Sequence, residues 1–106
     1  MIFLNQDAIA VNMLQGLKRK TLAQSQSMMI CEFTFDANVI IPIHSHPHEQ
    51  VGYVVEGRVL MTIAGQETEL GKGDSYCAPS NEPHGAYTLE PTIIIDTFSP
   101  PRDDYR

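Results

Sequence analysis

His44-Ser45-His46-Pro47-His48-Glu49-Gln50, with Gly57 seven residues further on and Pro83-His84 downstream, decides how this chain is read. Side chains alternate across a strand with a period of two, so His44 and His46 on one strand aim two imidazoles at a common point. A first-row metal ion needs that arrangement from a rigid strand. Gln50 follows a proline-containing bend and can add an oxygen, while His84 arrives from a distant strand. The pattern describes a metal site on an all-β scaffold.

The flanking sequence extends the all-β reading. From Met28 onward, short apolar or alternating runs predict strands over 28–35, 39–46, 51–56, 58–64, 67–70, 74–78, 84–89 and 92–98. Asp36-Ala37-Asn38, Glu56-Gly57, Gly65-Gln66, Gly71-Lys72-Gly73 and Pro79-Ser80-Asn81 separate them, each with residues that supply turn geometry. No run has the length and 3.6-residue period of a core helix, which leaves a sandwich or barrel. Residues 28–106 form that barrel in this reading, and 1–27 form an N-terminal arm. Within the arm, 2–4 and 10–14 are expected as short strands and 15–22 as a loop with a basic turn. The arm's apolar residues exceed what so small a barrel covers, so it is expected to lie against a second copy in a homodimer.

Bulk properties narrow the function. At 106 residues the chain has room for one domain, and 42% hydrophobic with 19% charged residues is an ordinary globular balance. A net charge of −6 argues against nucleic acid as a partner, because phosphates call for a basic face. The basic run Lys18-Arg19-Lys20 is expected in solvent. Cys31 and Cys77 fit neither a metal-binding nor a Cys-x-x-Cys spacing and read as buried core thiols. The first residues show no basic region with a long apolar segment, so no signal peptide or membrane span is expected and the location is cytoplasmic.

Near the C-terminus, Ile94, Asp96 and Phe98 share one strand face, followed by Pro100-Pro101-Arg102. A carboxylate among apolar neighbours is costly to bury without a partner, which makes Asp96 a candidate for acid–base work. Arg102, on a stiff proline-bounded turn, is suited to holding a substrate carboxylate through two parallel hydrogen bonds. An Asp96–Arg102 ion pair tying down the chain end is the alternative, and chemistry alone leaves both open.

The stretch from His44 to Gly57 resembles the first motif of the cupin superfamily, His-x-His-x3–4-Glu-x6-Gly, with Gln50 at the glutamate position. Gly73-x5-Pro79-x-Asn81-x2-His84 is similar to the second, Gly-x5-Pro-x-Gly-x2-His-x3-Asn. Asn81 replaces the central glycine, a mild change because asparagine tolerates left-handed backbone, and Thr88 replaces the final asparagine. The resemblance implies a jelly-roll barrel (a double-stranded β-helix) with one divalent transition metal held by His44, His46, Gln50 and His84. Nickel, zinc, manganese and iron all suit such ligands. Glutamine is neutral and leaves the ion its full double charge, which favours Lewis-acid chemistry over oxygen activation. His48 has no place in the motif and is either an active-site participant or a loop-surface residue. Glu49 is out of register for the acidic ligand.

The His-Ser-His-Pro-His-Glu-Gln segment and the ending Asp96-Thr97-Phe98-Ser99-Pro100-Pro101-Arg102-Asp103-Asp104-Tyr105 together resemble the small pectin-degradation cupins, from Lys18 to Tyr105. Those proteins convert cyclic 4,5-unsaturated uronate monosaccharides, released by polysaccharide lyases, into linear keto sugars. By that resemblance Asp96, Phe98 and Arg102 are the active-site residues and the partner is a small anionic sugar, from pectin or alginate. Two other functions share these features: a different metal-dependent cupin enzyme, such as a dioxygenase or sugar isomerase, and a non-catalytic metal- or ligand-binding cupin.

Overall fold

In the computed structural model, which describes Met1–Arg106, the alternating runs become ten strands. These are β1 (Ala10–Leu14), β2 (Leu17–Gln24), β3 (Met29–Phe35), β4 (Ile40–His44), β5 (Glu49–Glu56), β6 (Arg58–Ile63), β7 (Gln66–Gly71), β8 (Ser75–Ala78), β9 (His84–Thr88) and β10 (Thr92–Ser99). One-turn 3-10 segments occupy Asn5–Asp7 and Asp103–Tyr105. The strands form two antiparallel sheets, ordered β1-β2-β3-β10-β5-β8 and β4-β9-β6-β7, the jelly-roll arrangement the motifs implied. The crossovers bring β10 between β3 and β5, so the end of the chain lies beside its middle. No helix is long and apolar enough to cross a membrane.

Alternation decides which side chains meet between the sheets. β3 buries Met29, Cys31, Phe33 and Phe35, and β10 buries Thr92, Ile94, Asp96 and Phe98 on the same side. With Leu17, Val39, Val54, Val59 and Met61 these build one core. Burying each of the large apolar side chains contributes about 1.5–3 kcal/mol. Some polar residues inside are satisfied locally. Thr88 Oγ1 donates to the Asp36 carbonyl at 2.7 Å and accepts from the Val39 N–H at 2.9 Å, which ties the Asn38 turn to β9. Asn81 adopts φ +64°, the left-handed backbone expected where the motif has glycine.

Four details differ from the sequence reading. Residues 15–22 are not a basic loop: most of them lie in β2, which with β1 extends the larger sheet, while residues 2–4 form no strand. Arg19 is not in solvent. It is 8% exposed, its guanidinium stacks over the Tyr105 ring at 4.3 Å, and Nη1 donates to Met13 Sδ. Cys77 is exposed rather than buried, because the inward positions of β8 belong to Tyr76 and Ala78. Finally, β4 ends at His44, so His46 sits in the following bend rather than on the same strand.

Gly57 turns β5 into β6 with φ +98°, and a Cβ there would lie 2.6 Å from Thr92 Cα, against main chain that cannot yield. Gly57→Ala is therefore expected to lower unfolding stability by about 2–3 kcal/mol, read as a reduced urea midpoint at unchanged slope.

Candidate metal centre and cavity

His44 closes β4 where His84 opens β9, and the two are register partners with ring centroids 4.4 Å apart. His46 joins them from the bend, its ring 4.9 Å from His84 and 5.7 Å from His44. Contacts from the 79–82 turn pin that bend: the Asn81 N–H donates to the His46 carbonyl at 2.8 Å and Ser80 Oγ to the Pro47 carbonyl at 2.6 Å. The histidines thus converge through a braced loop rather than through strand alternation.

The Nδ1 atoms of His44, His46 and His84 lie 2.8, 2.9 and 2.8 Å from the carbonyls of Pro42, His48 and Glu82. A carbonyl only accepts, so each Nδ1 carries the proton and each Nε2 presents a lone pair. Ligand atoms of the three rings come within 4.8 Å of one another. His84 Nε2 is buried with no hydrogen-bond partner. His46 Nε2 lies 3.1 Å from Gln50 Oε1, one acceptor facing another. Gln50 also neighbours Asp96 and Tyr76 in the cavity, where it favours the ionised carboxyl. A buried orphan nitrogen and two opposed acceptors fit a cation between them, and the donor set of imidazole nitrogen and amide oxygen suits a divalent transition metal. Burial lowers the His46 and His84 pKa values, with the Arg102 charge adding to the effect, and holds both rings in the neutral form that ligates.

His44, Gln50 and His84 line one side of a cavity of about 210 Å³ between the sheets. Asp96, Phe98 and Arg102 line it too, so all three residues expected at the active site meet the histidine cluster. Phe98 lies 6.1 Å from His46, edge to face. The Asp96–Arg102 ion pair does not form. Arg102 instead pairs with Asp104 at 2.9 Å and stacks on Tyr105 at 4.1 Å, while Asp96 accepts a hydrogen bond from Tyr76. His48 does not line this cavity; its carbonyl orients His46, and its half-buried ring packs against the His46 edge. A larger depression of about 490 Å³ lies outside the barrel among Ile2, Phe3, Ile9 and Arg19, away from these groups.

Tyr76 and Tyr105 are cavity residues that the sequence reading missed. Tyr76 left one signal, a polar-tipped aromatic on the same parity as Ala78 in a short strand.

Burial pushes the Asp96 carboxyl up to about 6, with the Tyr76 and Gln50 hydrogen bonds pulling the other way. A carboxyl raised above its unfolded value stabilises the fold while protonated, and that contribution is lost as pH climbs from about 4 through 6. Asp96→Asn removes the buried charge. In metal-free protein it is expected to raise stability at pH 8 by on the order of 2 kcal/mol and to have little effect at pH 4, measured by urea unfolding.

Residues 31–98 match the Cupin domain family. Over 92 residues the chain is 39% identical to the "Pectin degradation protein KdgF" of Dickeya dadantii, covering 85% of this chain and 84% of that protein. The structure of KdgF from Halomonas sp. superposes with a TM-score of 0.95 at 35% identity, over 100% of this chain and 98% of that one. An RmlC-like cupin from Shewanella frigidimarina gives a TM-score of 0.95 at 34% identity, over 99% and 95% of the two chains. Sequence and backbone agree along nearly the whole length, and this chain belongs to the cupin family, with KdgF among its relatives.

Proposed function

We propose that this cupin converts cyclic 4,5-unsaturated uronate monosaccharides, products of polysaccharide lyases, into linear keto sugars. The observation that carries the reading is the meeting of Asp96, Phe98 and Arg102 with the histidine cluster in one cavity, in a relative of a pectin-degradation protein. Ring opening breaks the C1–O5 bond. The O1 hydroxyl loses its proton as C1 becomes an aldehyde, and O5 leaves as the enolate oxygen of the C4=C5 bond. Adding a proton at C4 then gives the 5-ketone, so one proton lost balances one gained and the reaction is an isomerisation.

Asp96 is the group that moves this proton. A carboxyl near pH 6 both accepts and donates readily around neutrality. Arg102 binds the C6 carboxylate and fixes which end of the sugar faces Asp96. Its pairing with Asp104, which is 59% exposed, holds the guanidinium in place. Phe98 forms the apolar wall beside the ring and excludes water from the enolate. His44, His46, Gln50 and His84 would hold a divalent ion, which would supply Lewis-acid polarisation of substrate oxygens. The net charge of −6 opposes an anionic substrate at long range, but at contact distance Arg102 and the ion dominate.

The assembly in this reading is a homodimer. Met1, Ile2, Phe3, Leu4 and Ile9 stand exposed beside the larger sheet, and a second copy covering them removes apolar surface from water. Light scattering on a sizing column should return twice the chain mass; a monomer at micromolar concentration would remove this element.

Metal-loaded protein added to lyase-generated unsaturated galacturonate should speed the loss of ultraviolet absorbance from the ring double bond. Chelation should abolish the acceleration, and Asp96→Asn should cut kcat by about 10²- to 10⁴-fold. Arg102→Ala should mainly raise KM. A metal-loaded protein inert towards both galacturonate- and alginate-derived monomers overturns the proposal, and oxygen consumption with another substrate would point to a dioxygenase.

A further inference from the structure

We propose that Tyr76, reaching across the gap left by the missing side chain of Gly52, is a positioning residue that holds the Asp96 carboxyl in one orientation towards the cavity. This rests on the reading of Asp96 as the proton-transfer group.

The register makes a straight row. Gly52 of β5 pairs with Tyr76 of β8 on one side and with Asp96 of β10 on the other. Tyr76 and Asp96 therefore sit two strands apart, with backbones separated by about 10 Å. An inward side chain on the middle strand would ordinarily fill the space between them. The Tyr76 hydroxyl nevertheless donates directly to Asp96 Oδ1. It can do so because Gly52 leaves the row empty: a Cβ there would fall inside contact distance of both Tyr76 Cζ and Asp96 Oδ1. Gly52 has no left-handed backbone to accommodate, so space alone explains a glycine inside a central strand, where it is otherwise unfavourable.

The Tyr76 hydroxyl is the donor that acts on the carboxyl, with Gln50 beside it. Both residues lie on the inner face of the larger sheet, β8 and β5, and line the cavity with Asp96. The hydroxyl restricts rotation of the carboxyl about its Cβ–Cγ bond. A group that takes a proton at O1 and delivers one at C4 needs such control, because a misplacement of about 1 Å costs on the order of 10²-fold in rate. Tyr76 acts through Asp96, and its loss should register in kcat and not in substrate affinity.

Tyr76→Phe removes one oxygen and keeps the ring. With unsaturated galacturonate, kcat should fall about 10- to 100-fold while KM and bound metal stay unchanged. In an Asp96→Asn background the same substitution should cost nothing further. Gly52→Ala should reproduce the kcat loss; if it does not fold, Tyr76→Phe carries the test alone. The contact also has a readout without substrate. The chain has no tryptophan, so tyrosine emission is visible, and a carboxylate accepting from a phenol quenches it. Asp96→Asn should raise emission when Tyr76 is present and leave it unchanged in Tyr76→Phe. If wild-type protein turns over the uronate but Tyr76→Phe keeps its kcat, or loses it equally in both backgrounds, the positioning role is overturned and the function stands. An emission insensitive to Asp96→Asn overturns it as well. Wild-type protein inert towards the uronate removes the function and the positioning role together.

Discussion

Each of the three converging imidazoles gives its Nδ1 hydrogen to a main-chain carbonyl two residues away, and the rest of the site depends on that constraint. The carbonyls belong to Pro42, inside β4 where its pairing with β9 is irregular, to His48 in the bend after β4, and to Glu82 just before β9. The bond selects the tautomer and fixes the ring plane at once, a role usually assigned to outer-shell carboxylates. Here backbone does it, so ligand geometry is as rigid as the turns that carry it. The brace from Asn81 to the His46 carbonyl then links the two motifs into one unit.

The barrel interior is divided by chemistry. Val54 and Val59 pack in the core away from the cavity, while Phe33, Phe35 and Ile94 give the cavity an apolar side and Gln50, Tyr76, His84 and Asp96 a polar one. Phe98 belongs to both, touching the core cluster and His46. A carboxyl kept in such surroundings costs the fold stability at neutral pH, a cost that the proposed proton-transfer role would account for. The Tyr76 and Gln50 hydrogen bonds offset part of that cost without removing it. Gln50 links the two groups: its Oε1 lies 3.1 Å from His46 Nε2, and it lines the cavity with Asp96 and favours the ionised carboxyl.

Most of the strand plan was legible in the sequence as short runs between turn residues. β3, β5 and β10 alternate between buried and more exposed positions, although β5 turns Gln50 and Gly52 inward and Val51, Tyr53 and Val55 outward. The histidine cluster was legible for a different reason, the fixed spacing of His44, His46 and His84 against glycine and proline. What escaped depends on partners remote in sequence. The place of His46 is decided by Ser80 and Asn81, and Arg19 is drawn inward by Tyr105. The Tyr76–Asp96 bond needs the register of three strands and a glycine in the middle one. Cys77 was misjudged because β8 has only four residues, too few for alternation to declare which side faces in.

That parity of β8 has a practical side. Turning Tyr76 inward places Cys77 on the outer surface, while the other thiol, Cys31, is sealed in the core. The chain thus offers a single accessible thiol, one residue from the tyrosine that touches Asp96. A spin label or fluorophore attached there would ride on the cavity's own wall without entering it. Movements of β8 on ligand binding would then be visible from the outside of the barrel.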